Sequence, residues 1–560
     1  MPSPSTSSET ISISLSGVST IDPLLNEDLL KWKGISGLAV ERTYSFPWLG
    51  GATAYWQSPI YSAYSEQNAA ERFGFNSSQI SAAKSAFEAW ADVAAFSFTQ
   101  VDESASNVGD FRLAFSSAVG SASWGWCRYP NSYLANAADV WINPSAADKD
   151  WSTGSYNFLS LIHEIGHGLG LKHPGNYSST GSGTPGPYLP AALDYRNYTL
   201  MSYHDLNVSF FDATQNKYIN VYPVTPMVYD IAAIQYLYGA NNSYRTGDDI
   251  YRFDPSHPFY RTIWDAGGND TFDVSNFGTN CDIDLTPGHY SSLRYVNHGT
   301  GPNLYDGTNN LGIAFGTIIE NVIGGSGNDL ILGNAVGDTL KGGGGNDTII
   351  GGAGNDTAVF GGNVADYSIT YDKIFQQYTV ADRVTGGDGM DIVAFVENFQ
   401  FADTTKSALD FITDTVAPIV SLYNPVAGAI GVPVGSDIIL TFNEAIKLGS
   451  GTIAIHSGSL NGPVIASSAD VMTASISISG MTLTINPTND FTKGTHYFIT
   501  FADGSILDLS GNSYSGGMPY DFITVQALDV PPVNPEGGGS GAGVVLAGIG
   551  GIGLLAWAIL

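Results

Sequence analysis

Residues 324–359 read GGSGNDLIL, GNAVGDTLK, GGGGNDTII and GGAGNDTAV, which are four successive copies of a nine-residue repeat. The repeat places glycine in its first half, aspartate at its sixth position and an apolar residue near its end. Glycine permits a tight turn, and the last three residues of each copy can form a short strand. A flexible linker would not keep an aspartate at every ninth position. The repeat therefore predicts a parallel β-roll whose turns bind Ca²⁺.

The spacing of the aspartates assigns the two sides of such a roll. Because one full coil takes two repeats, Asp329 and Asp347 are expected to stack on one side. Asp338 and Asp356 then stack on the other side. Turn 333–338 lacks the second glycine and is expected to bind an ion less well, since carboxylates and glycine carbonyls would both serve as ligands. The candidate calcium ligands in the repeats are Gly325, Gly327, Asp329, Asp338, Gly342, Gly343, Gly345, Asp347, Gly351, Gly352, Gly354 and Asp356.

A similar turn, GGDGMD, occupies residues 386–391. It begins 35 residues after Gly351 and is therefore out of register with the repeats. A closing hairpin is the favoured interpretation of this segment.

Three of the nine histidines fall within HEIGHGLGLKH, residues 163–173. On a helix, His163 and His167 lie on one face, where a single cation can bind both imidazoles. Gly170 lets the helix end and the chain turn, which brings His173 back as a third ligand. Three histidines and one open position are typical of a catalytic zinc site. Glu164 is then placed to act as general base on a zinc-bound water, so the segment predicts hydrolysis of peptide bonds.

The segment HEIGHGLGLKHPGNY (163–177), followed by TLMSY (199–203), resembles the metzincin zinc peptidases and, within them, the serralysin family. The resemblance covers roughly residues 15–405. It implies a methionine turn beneath the metal at Met201. It also implies that Tyr203 ligates zinc and can swing to support the oxyanion during catalysis.

The passage from the histidine region into the repeats also resembles the serralysin family, in DIAAIQYLYGANNSYRTGDDIYRFD (230–254) and IWDAGGNDTFDVSNF (263–277). The resemblance implies a calcium site at the junction of two domains. Ile318 stands where the family has a threonine, a change that a carbonyl ligand survives and a hydroxyl ligand does not. The implied calcium ligands at this junction are Arg245, Gly247, Asp249, Asp265, Gly267, Gly268, Asp270 and Glu320.

The composition is strongly acidic, with 52 Asp and Glu against 21 Lys and Arg and a net charge of −31. Aspartate accounts for 40 of those acids, which suits a calcium-binding protein. A polyanion would be repelled, so nucleic acid is not expected as a partner. The two cysteines, Cys127 and Cys281, exclude a disulfide framework, although one bridge between them is possible.

The 560 residues predict a multidomain protein. We expect an α+β metzincin-type catalytic domain in 1–240 and the parallel β-roll in 241–410. Short strands rich in β-branched residues predict an all-β immunoglobulin-like sandwich in 411–530, and a glycine-rich linker and apolar tail occupy 531–560.

Within the catalytic domain, hydrophobic periodicity predicts three helices. They are expected at 82–96, at 157–171 with Asn157 or Ser155 as N-cap, and at 226–239.

The two ends of the chain bear on its location. The first residues, MPSPSTSSETISISL, lack the features of a Sec signal peptide, so secretion is expected by another route. Residues 542–560 are apolar and uncharged. Three interpretations stay open for them: a membrane or sorting anchor that would hold the protein at the cell surface, a hydrophobic export signal, or a buried or disordered tail.

Two functions are consistent with these features. The first is an extracellular zinc endopeptidase, stabilised by several calcium ions, that hydrolyses proteins or peptides with one catalytic zinc. The alternative is a calcium-dependent surface adhesin with a vestigial protease domain, which the immunoglobulin-like segment and the apolar tail favour. The set His163, Glu164, His167, His173 and Tyr203 is intact, whereas a decayed enzyme is expected to have lost at least one of them.

Overall fold

The computed structural model describes residues 3–4, 9–34, 38–55, 66–132, 136–177, 185–384, 386–412, 416–468, 474–517 and 520–526. The predicted linker and apolar tail, 531–560, lie outside the described residues. Among the described residues, no helix combines the length and the apolar character needed to cross a membrane. Cys127 and Cys281 both have free thiols.

The N-terminal part, which precedes the roll, mixes helices and strands. Its α-helices are α1 (Ser77–Val93), α2 (Tyr156–Gly168) and α3 (Val228–Tyr238). Its strands are β1 (Ser3–Pro4), β2 (Thr10–Ser12), β3 (Leu30–Trp32), β4 (Val40–Ser45), β5 (Arg72–Phe73), β6 (Phe96–Gln100), β7 (Asn107–Val108), β8 (Phe111–Ser116), β9 (Gly125–Cys127), β10 (Val140–Ile142), β11 (Ser209–Asp212) and β12 (Lys217–Asn220).

The central sheet of this part has the strand order β6-β4-β8-β10-β9, and β5 pairs with β8. The pairs β4–β6, β4–β8 and β8–β10 are parallel, whereas β9 is antiparallel to β10 and forms one edge. Helix α1 packs on this sheet, where the ring of Phe87 stacks on Tyr44 at a centroid distance of 4.5 Å. The sheet thus presents β9 as an edge strand beside α2.

All three predicted helices are present, and their bounds differ from the expected 82–96, 157–171 and 226–239. Helix α1 begins at Ser77 because the side chains of Asn76 and Gln79 form a reciprocal capping box. It ends at Val93 because the chain enters β6 three residues later. In α2, the N-cap is Ser155, whose hydroxyl accepts a hydrogen bond from the backbone N–H of Phe158 at 3.2 Å.

The roll begins after α3. Its strands are β13 (Ile250–Arg252), β14 (Arg261–Ile263), β15 (Thr271–Asp273), β16 (Asp282–Asp284), β17 (Tyr290–Ser291), β18 (Leu311–Ile313), β19 (Asn321–Ile323), β20 (Leu330–Leu332), β21 (Thr339–Lys341), β22 (Thr348–Ile350), β23 (Thr357–Val359), β24 (Tyr367–Asp372), β25 (Gln377–Asp382), β26 (Met390–Ala394), β27 (Asn398–Gln400) and β28 (Thr405–Ser407). Short 3-10 helices occur in both parts, at Asp22–Leu24, Leu49–Gly51, Glu66–Asn68, Ser117–Val119, Pro144–Ala146, Val364–Asp366 and Ala408–Phe411.

Two long sheets form the faces of the roll, in the orders β13-β15-β19-β21-β23-β27-β28 and β16-β20-β22-β26-β25-β24. Successive repeats alternate between them, since β20 pairs with β22 and β21 pairs with β23, both in parallel. The predicted assignment of the aspartates to two sides is therefore confirmed. The middle residue of each repeat strand is buried between the sheets: Ile331, Leu340, Ile349 and Ala358.

The C-terminal part is a sandwich of a four-stranded sheet, β29-β31-β36-β35, and a five-stranded sheet, β30-β39-β37-β33-β34. It has a hydrophobic core of its own, which includes Ile438, Leu440, Leu483 and Phe522, whereas the first two parts share one continuous core. The strands are β29 (Val420–Asn424), β30 (Ala429–Val432), β31 (Ile438–Phe442), β32 (Ile446–Leu448), β33 (Ile453–Ser457), β34 (Val464–Ser467), β35 (Ala474–Ser479), β36 (Thr482–Pro487), β37 (His496–Phe501), β38 (Ile506–Asp508) and β39 (Tyr520–Thr524).

Candidate metal centre and active site

Three imidazoles meet at the end of α2. His163 and His167 lie one turn apart on the helix, and the chain reverses after it so that His173 faces both. The Nε2 atom of His173 lies 3.2 Å from that of His163 and 3.1 Å from that of His167. The structure thus brings together the three histidines that the sequence singles out.

Two glycines shape the chain around these histidines, one by allowing close packing and one by allowing a turn. The sulfur of Met201 and the ring of Trp90 each lie 3.0 Å from the position at which Gly166 would carry a β-carbon, so a larger residue there would have to displace one of them. Gly170 adopts a φ of 107°, in the region that favours glycine, and the chain turns there toward His173.

Backbone carbonyls orient two of the rings. His163 Nδ1 lies 2.8 Å from the carbonyl oxygen of Leu200, and His167 Nδ1 lies 2.8 Å from that of Leu171. A carbonyl only accepts, so each Nδ1 carries the proton and each Nε2 presents a lone pair. Burial lowers the pKa of His167 to about 4 and that of His173 to about 2, so these rings are neutral near pH 7.

This donor set fits one zinc ion. Bare Nε2 atoms about 3 Å apart repel one another, and a cation bound between them removes that repulsion. Two nitrogens bound tetrahedrally at about 2.0–2.1 Å from zinc are separated by about 3.3 Å, close to the observed spacing. Within the part of the chain that the structure describes, these three residues form the metal-type cluster that contains histidine.

Glu164 is buried beside this cluster, and one of its oxygens, Oε2, has no hydrogen-bond partner. Burial raises the pKa of its carboxyl to about 8, and a hydrogen bond from the backbone of Cys127 opposes part of that rise. A buried carboxylate oxygen without a hydrogen bond costs free energy of folding. Its presence beside the histidines therefore suits a group that acts on a bound molecule.

Tyr203 lies over the same cluster. Its ring centroid is 4.3 Å from that of His173 and 5.8 Å from that of His163, and the residue is 38 % exposed. Burial of the phenol raises its pKa well above the ordinary value, so the hydroxyl keeps its proton and can donate a hydrogen bond. The ring of Tyr177 stacks against it at 5.1 Å.

Two acids that are not among the predicted site residues hold the segment 199–203, which contains Met201 and Tyr203, in place. Asp194 is buried and accepts hydrogen bonds from the hydroxyls of Tyr177 at 2.7 Å and Ser202 at 2.6 Å. Asp230, on α3, is fully buried and anchors the methionine turn by accepting hydrogen bonds from the Thr199 hydroxyl (2.6 Å) and the backbone N–H groups of Leu200 (2.7 Å) and Met227 (2.9 Å). In the sequence, Asp230 could have been noticed because it is an acid within the largely apolar stretch that forms α3.

A cleft of about 350 Å³ opens beside the imidazole of His163, between α2 and the edge strand β9. Arg196 and Asp205 form an ion pair of 2.7 Å at its rim. Its other lining residues are Ala122, Ser123, Trp124, Gly125, Tyr156, Leu159, Ser160, His163, Glu164 and Tyr203.

The junction between the N-terminal part and the roll contains a second cluster. Carboxylate oxygens of Asp249, Asp265 and Asp270 lie within 4.8 Å of one another. Asp270 is buried and its Oδ2 has no hydrogen-bond partner, while its backbone N–H donates to Glu320 Oε2 at 2.7 Å. An ion with hard oxygen ligands would satisfy that oxygen, so the cluster fits calcium. Ile318, which stands where the family has a threonine, has no side-chain oxygen to offer an ion, and its side chain is 40 % exposed.

The other residues implied at this junction lie around the same acids. Gly267 donates its N–H to Asp265 Oδ1 at 2.9 Å, and Arg245 donates to Asp249 Oδ1 at 3.3 Å. The carbonyl oxygen of Gly247 lies 2.2 Å from the position of a β-carbon at Gly268, so any side chain there would displace the loop.

The repeat turns pack through their glycines. A β-carbon at Gly343 or Gly345 would lie 2.1 or 2.2 Å from the carbonyl oxygen of the glycine below, Gly325 or Gly327. On the other side, Gly352 and Gly354 pack in the same way over turn 333–338, and Gly342 and Gly351 pack against the aspartates of their own turns.

The aspartates of these turns are buried, and three carboxylate oxygens have no hydrogen-bond partner: Asp338 Oδ1, Asp347 Oδ2 and Asp356 Oδ2. Asp329 differs, because its Oδ2 accepts from Gly325 N–H at 2.8 Å. Buried carboxylates without cationic partners fit calcium.

Comparison with known proteins gives three family matches along the chain. Residues 56–180 match the model described as Matrixin, residues 231–416 match Peptidase M10 serralysin C terminal, and residues 414–524 match Bacterial Ig-like domain.

Curated relatives match about half of the chain. The chain is 34 % identical to Serralysin of Proteus mirabilis over 54 % of its own length and 61 % of that protein. It is 38 % identical to Serralysin C of Dickeya chrysanthemi over 46 % of its own length and 54 % of that protein. It is 36 % identical to Metalloprotease AprA of Pseudomonas entomophila over 46 % of its own length and 53 % of that protein. The chain thus spans between about half and three fifths of the length of these relatives.

Among solved structures, CopC from Methylosinus trichosporium OB3b matches 20 % of this chain and 99 % of its own, with 16 % identity and a TM-score of 0.17. A likeness of this strength bears on neither fold nor function.

Proposed function

We propose that this chain, which belongs to the serralysin family and carries an added bacterial Ig-like domain, is a calcium-stabilised zinc endopeptidase that hydrolyses peptide bonds of proteins. One observation carries the proposal. The Nε2 atom of His173 lies within 3.2 Å of the Nε2 atoms of His163 and His167, and an unpaired oxygen of Glu164 lies in the lining of the adjoining cleft.

His163, His167 and His173 would hold the zinc, and the buried Met201, which packs against Gly166 on the same helix, would form the methionine turn. Bound there, zinc would lower the pKa of a water to about 7 and polarise the carbonyl of the scissile bond.

Glu164 supplies the proton chemistry. Its free oxygen accepts a proton from the attacking water as the C–O bond forms, and passes that proton to the amine nitrogen as the C–N bond breaks. The two products are a carboxylic acid and an amine, so the atoms of the water are all accounted for. Tyr203 keeps its phenolic proton and donates a hydrogen bond to the oxygen that becomes negative in the transition state.

The edge strand β9 is the proposed docking site for the substrate backbone. Among the described residues, β9 pairs with β10 on one side and has no strand on the other, and Gly125 faces the cleft. An extended peptide can add to such an edge as a further strand, with its side chains alternating into and out of the cleft.

Calcium would stabilise the roll and the junction through the carboxylates described above. We propose the division 1–240, 241–410 and 411–530 for the catalytic, roll and Ig-like domains. We further propose action outside the cell, with association with a cell surface through 542–560 as the alternative to release. The alternative function, an adhesin with a vestigial protease domain, has only the Ig-like domain and the apolar tail in its favour.

Casein hydrolysis by the purified full chain tests the enzyme proposal. Glu164→Gln removes the base while keeping the volume, and should lower kcat by a factor of about 10²–10⁴. Glu88→Gln, on the exposed face of α1, serves as the matched control and should leave the rate unchanged. 1,10-phenanthroline should abolish activity, and added zinc should restore it. Equal clearing of casein by wild type and Glu164→Gln would leave the chain without the proposed function.

A further inference from the structure

A second cavity adjoins the cleft beside His163. It has a volume of about 120 Å³, and both it and the cleft are lined by Arg196 and Asp205. Its other walls include Asn197, Tyr222 and Tyr260. The two cavities therefore meet at the Arg196–Asp205 ion pair. We call the second cavity the side pocket.

The walls of the side pocket are held in place by specific contacts. The guanidinium of Arg196 donates from Nη1 to Asp205 Oδ1 at 2.7 Å and from Nε to the carbonyl of Ser202 at 3.1 Å. Tyr260 is buried, and its ring packs edge-on against that of Tyr305 at a centroid distance of 5.4 Å. The side pocket is therefore formed before any ligand binds.

One polar side chain in the wall of the side pocket is buried without a partner. Asn197 is 4 % exposed, and its Oδ1 has no hydrogen bond. Within the part of the chain that the structure describes, its Nδ2 donates to no residue either. Buried polar groups are almost always paired, so an amide with both ends unpaired beside a cavity points to a ligand.

The charges at the side pocket cancel. Arg196 and Asp205 form one ion pair, and no other Lys, Arg, Asp or Glu among the described residues lines the pocket. The Asn197 amide offers a donor and an acceptor together, and a carboxamide on the ligand offers both in return. An ammonium or guanidinium group has no acceptor and a carboxylate has no donor, so each would leave one end of the amide unpaired.

The side pocket lies within reach of a substrate in the cleft. An extended peptide along β9 presents alternate side chains to the two sides of its backbone. The guanidinium of Arg196 lies 5.6 Å from the ring of Tyr156 in the cleft wall, and that ring lies 5.5 Å from the ring of Tyr222 in the side pocket. A long side chain that follows this shared wall from the cleft enters the side pocket.

We propose that the side pocket binds the carboxamide of a glutamine or asparagine side chain of the substrate, and that Asn197 selects it. The inference rests on the proposed peptidase function and adds the class of substrate that the enzyme prefers. The preference applies at one fixed position relative to the scissile bond, because the side pocket has a fixed place beside the histidines.

Digestion of a peptide library by the purified full chain, with the products identified by mass spectrometry, tests the preference. Glutamine or asparagine should be enriched at one position relative to the cut. In matched peptides that differ only at that position, glutamine should give a kcat/KM on the order of tenfold above that of methionine, which has a similar length and no amide. Glutamate and lysine should be no better than methionine.

A variant assigns the preference to the side pocket. Asn197→Leu keeps the approximate volume of the side chain and removes the amide. The ratio of kcat/KM between the glutamine and methionine peptides should then fall toward unity. Asn242→Leu, at an exposed position after α3, is the matched control and should keep the wild-type ratio. An unchanged ratio in Asn197→Leu, or a wild-type preference for glutamate or lysine, would overturn the proposal.

The same peptides separate this proposal from the peptidase function. If wild type cleaves all of them equally well, the role of the side pocket is wrong and the peptidase function stands. If wild type cleaves none of them, both are wrong.

A structure decides the matter if Asn197→Leu does not fold. Crystals of the Glu164→Gln full chain grown with the glutamine peptide should show the carboxamide of the peptide hydrogen-bonded to Asn197. A bound peptide whose glutamine lies elsewhere, with only water in the side pocket, would overturn the proposal.

Discussion

The sulfur of Met201 lies 3.0 Å from the position at which Gly166 would carry a β-carbon, one residue before His167 on the helix turn that joins it to His163. On its other side, that position lies 3.0 Å from the ring of Trp90. Met201 and the histidine helix are thus packed so closely that a β-carbon at position 166 would have to shift the methionine sulfur or the indole ring.

Gly166→Ala should therefore destabilise the protein although alanine favours helices. The gain in helix propensity is about 1 kcal/mol, and overpacking a filled site costs about 1–3 kcal/mol. We expect a lower Tm and weaker zinc binding, measured by thermal unfolding and by competition with a zinc chelator. A Tm equal to or above that of wild type would show that the contact is not tight.

Asp230→Asn should weaken the support of the methionine turn. Asparagine offers one acceptor oxygen where the carboxylate offers two, so at least one of the donors that Asp230 satisfies loses its partner. We expect a loss of about 1–3 kcal/mol in the free energy of unfolding and a lower kcat with little change in KM.

The matched control for this variant is Asp148→Asn, an exposed position in the same domain. Denaturant unfolding at pH 7 compares the two. Equal stability of both variants with wild type would contradict a structural role for Asp230.

The stability of the roll should fall as pH rises in the absence of calcium and should change little with pH in its presence. In the calcium-free protein, burial raises the pKa of Asp338 and Asp347 to about 7 and that of Asp391 to about 8, above the ordinary value of 3.8. The folded state therefore holds protons that the unfolded chain has released, and it must give them up as pH rises from about 4 to about 8. Stability in EGTA should fall over that range.

Saturating calcium favours the charged carboxylates and should remove most of this decline. Thermal unfolding followed by circular dichroism, in EGTA and in excess Ca²⁺ at pH 5, 6, 7 and 8, checks the prediction. Titration calorimetry in buffers of different ionisation enthalpy should show proton release on calcium binding at pH 7. Stability in EGTA that rises with pH would contradict it.

Asp270→Asn should have effects of opposite sign in the two conditions. With calcium, the variant loses a ligand oxygen at the junction and should unfold at a lower temperature than wild type. In EGTA it removes a charge that burial disfavours, since burial raises the pKa of Asp270 to about 6, and it should be as stable as wild type or more stable. Asp254→Asn, at an exposed turn near the junction, should change neither value. A loss of stability in both conditions would mean that Asp270 matters for packing alone.

The histidine cluster and the two sides of the roll could be predicted from sequence because each follows from a fixed period. Four residues make about one turn of helix, which places His163 above His167, and two repeats make one coil, which places Asp329 above Asp347. The family resemblance added Met201 and Tyr203, whose positions no local period reveals.

The missed residues depend on contacts without a period. Asp391 continues the ladder after a 44-residue separation, so its register is visible only once β22 and β26 are paired. Asp194 and Asp230 both accept hydrogen bonds from the loop between α2 and α3. Their role therefore depends on how that loop packs, which the sequence does not reveal.

Zinc K-edge absorption of the purified full chain tests the central claim most directly. With one zinc per chain, the account predicts a coordination shell with three imidazole nitrogens at about 2.0–2.1 Å and at least one light oxygen ligand. His167→Gln should reduce the bound zinc to a small fraction, while His257→Gln, at an exposed turn, should leave it at one. A chain that binds no zinc, or a shell in which fewer than three imidazoles take part, would contradict the account.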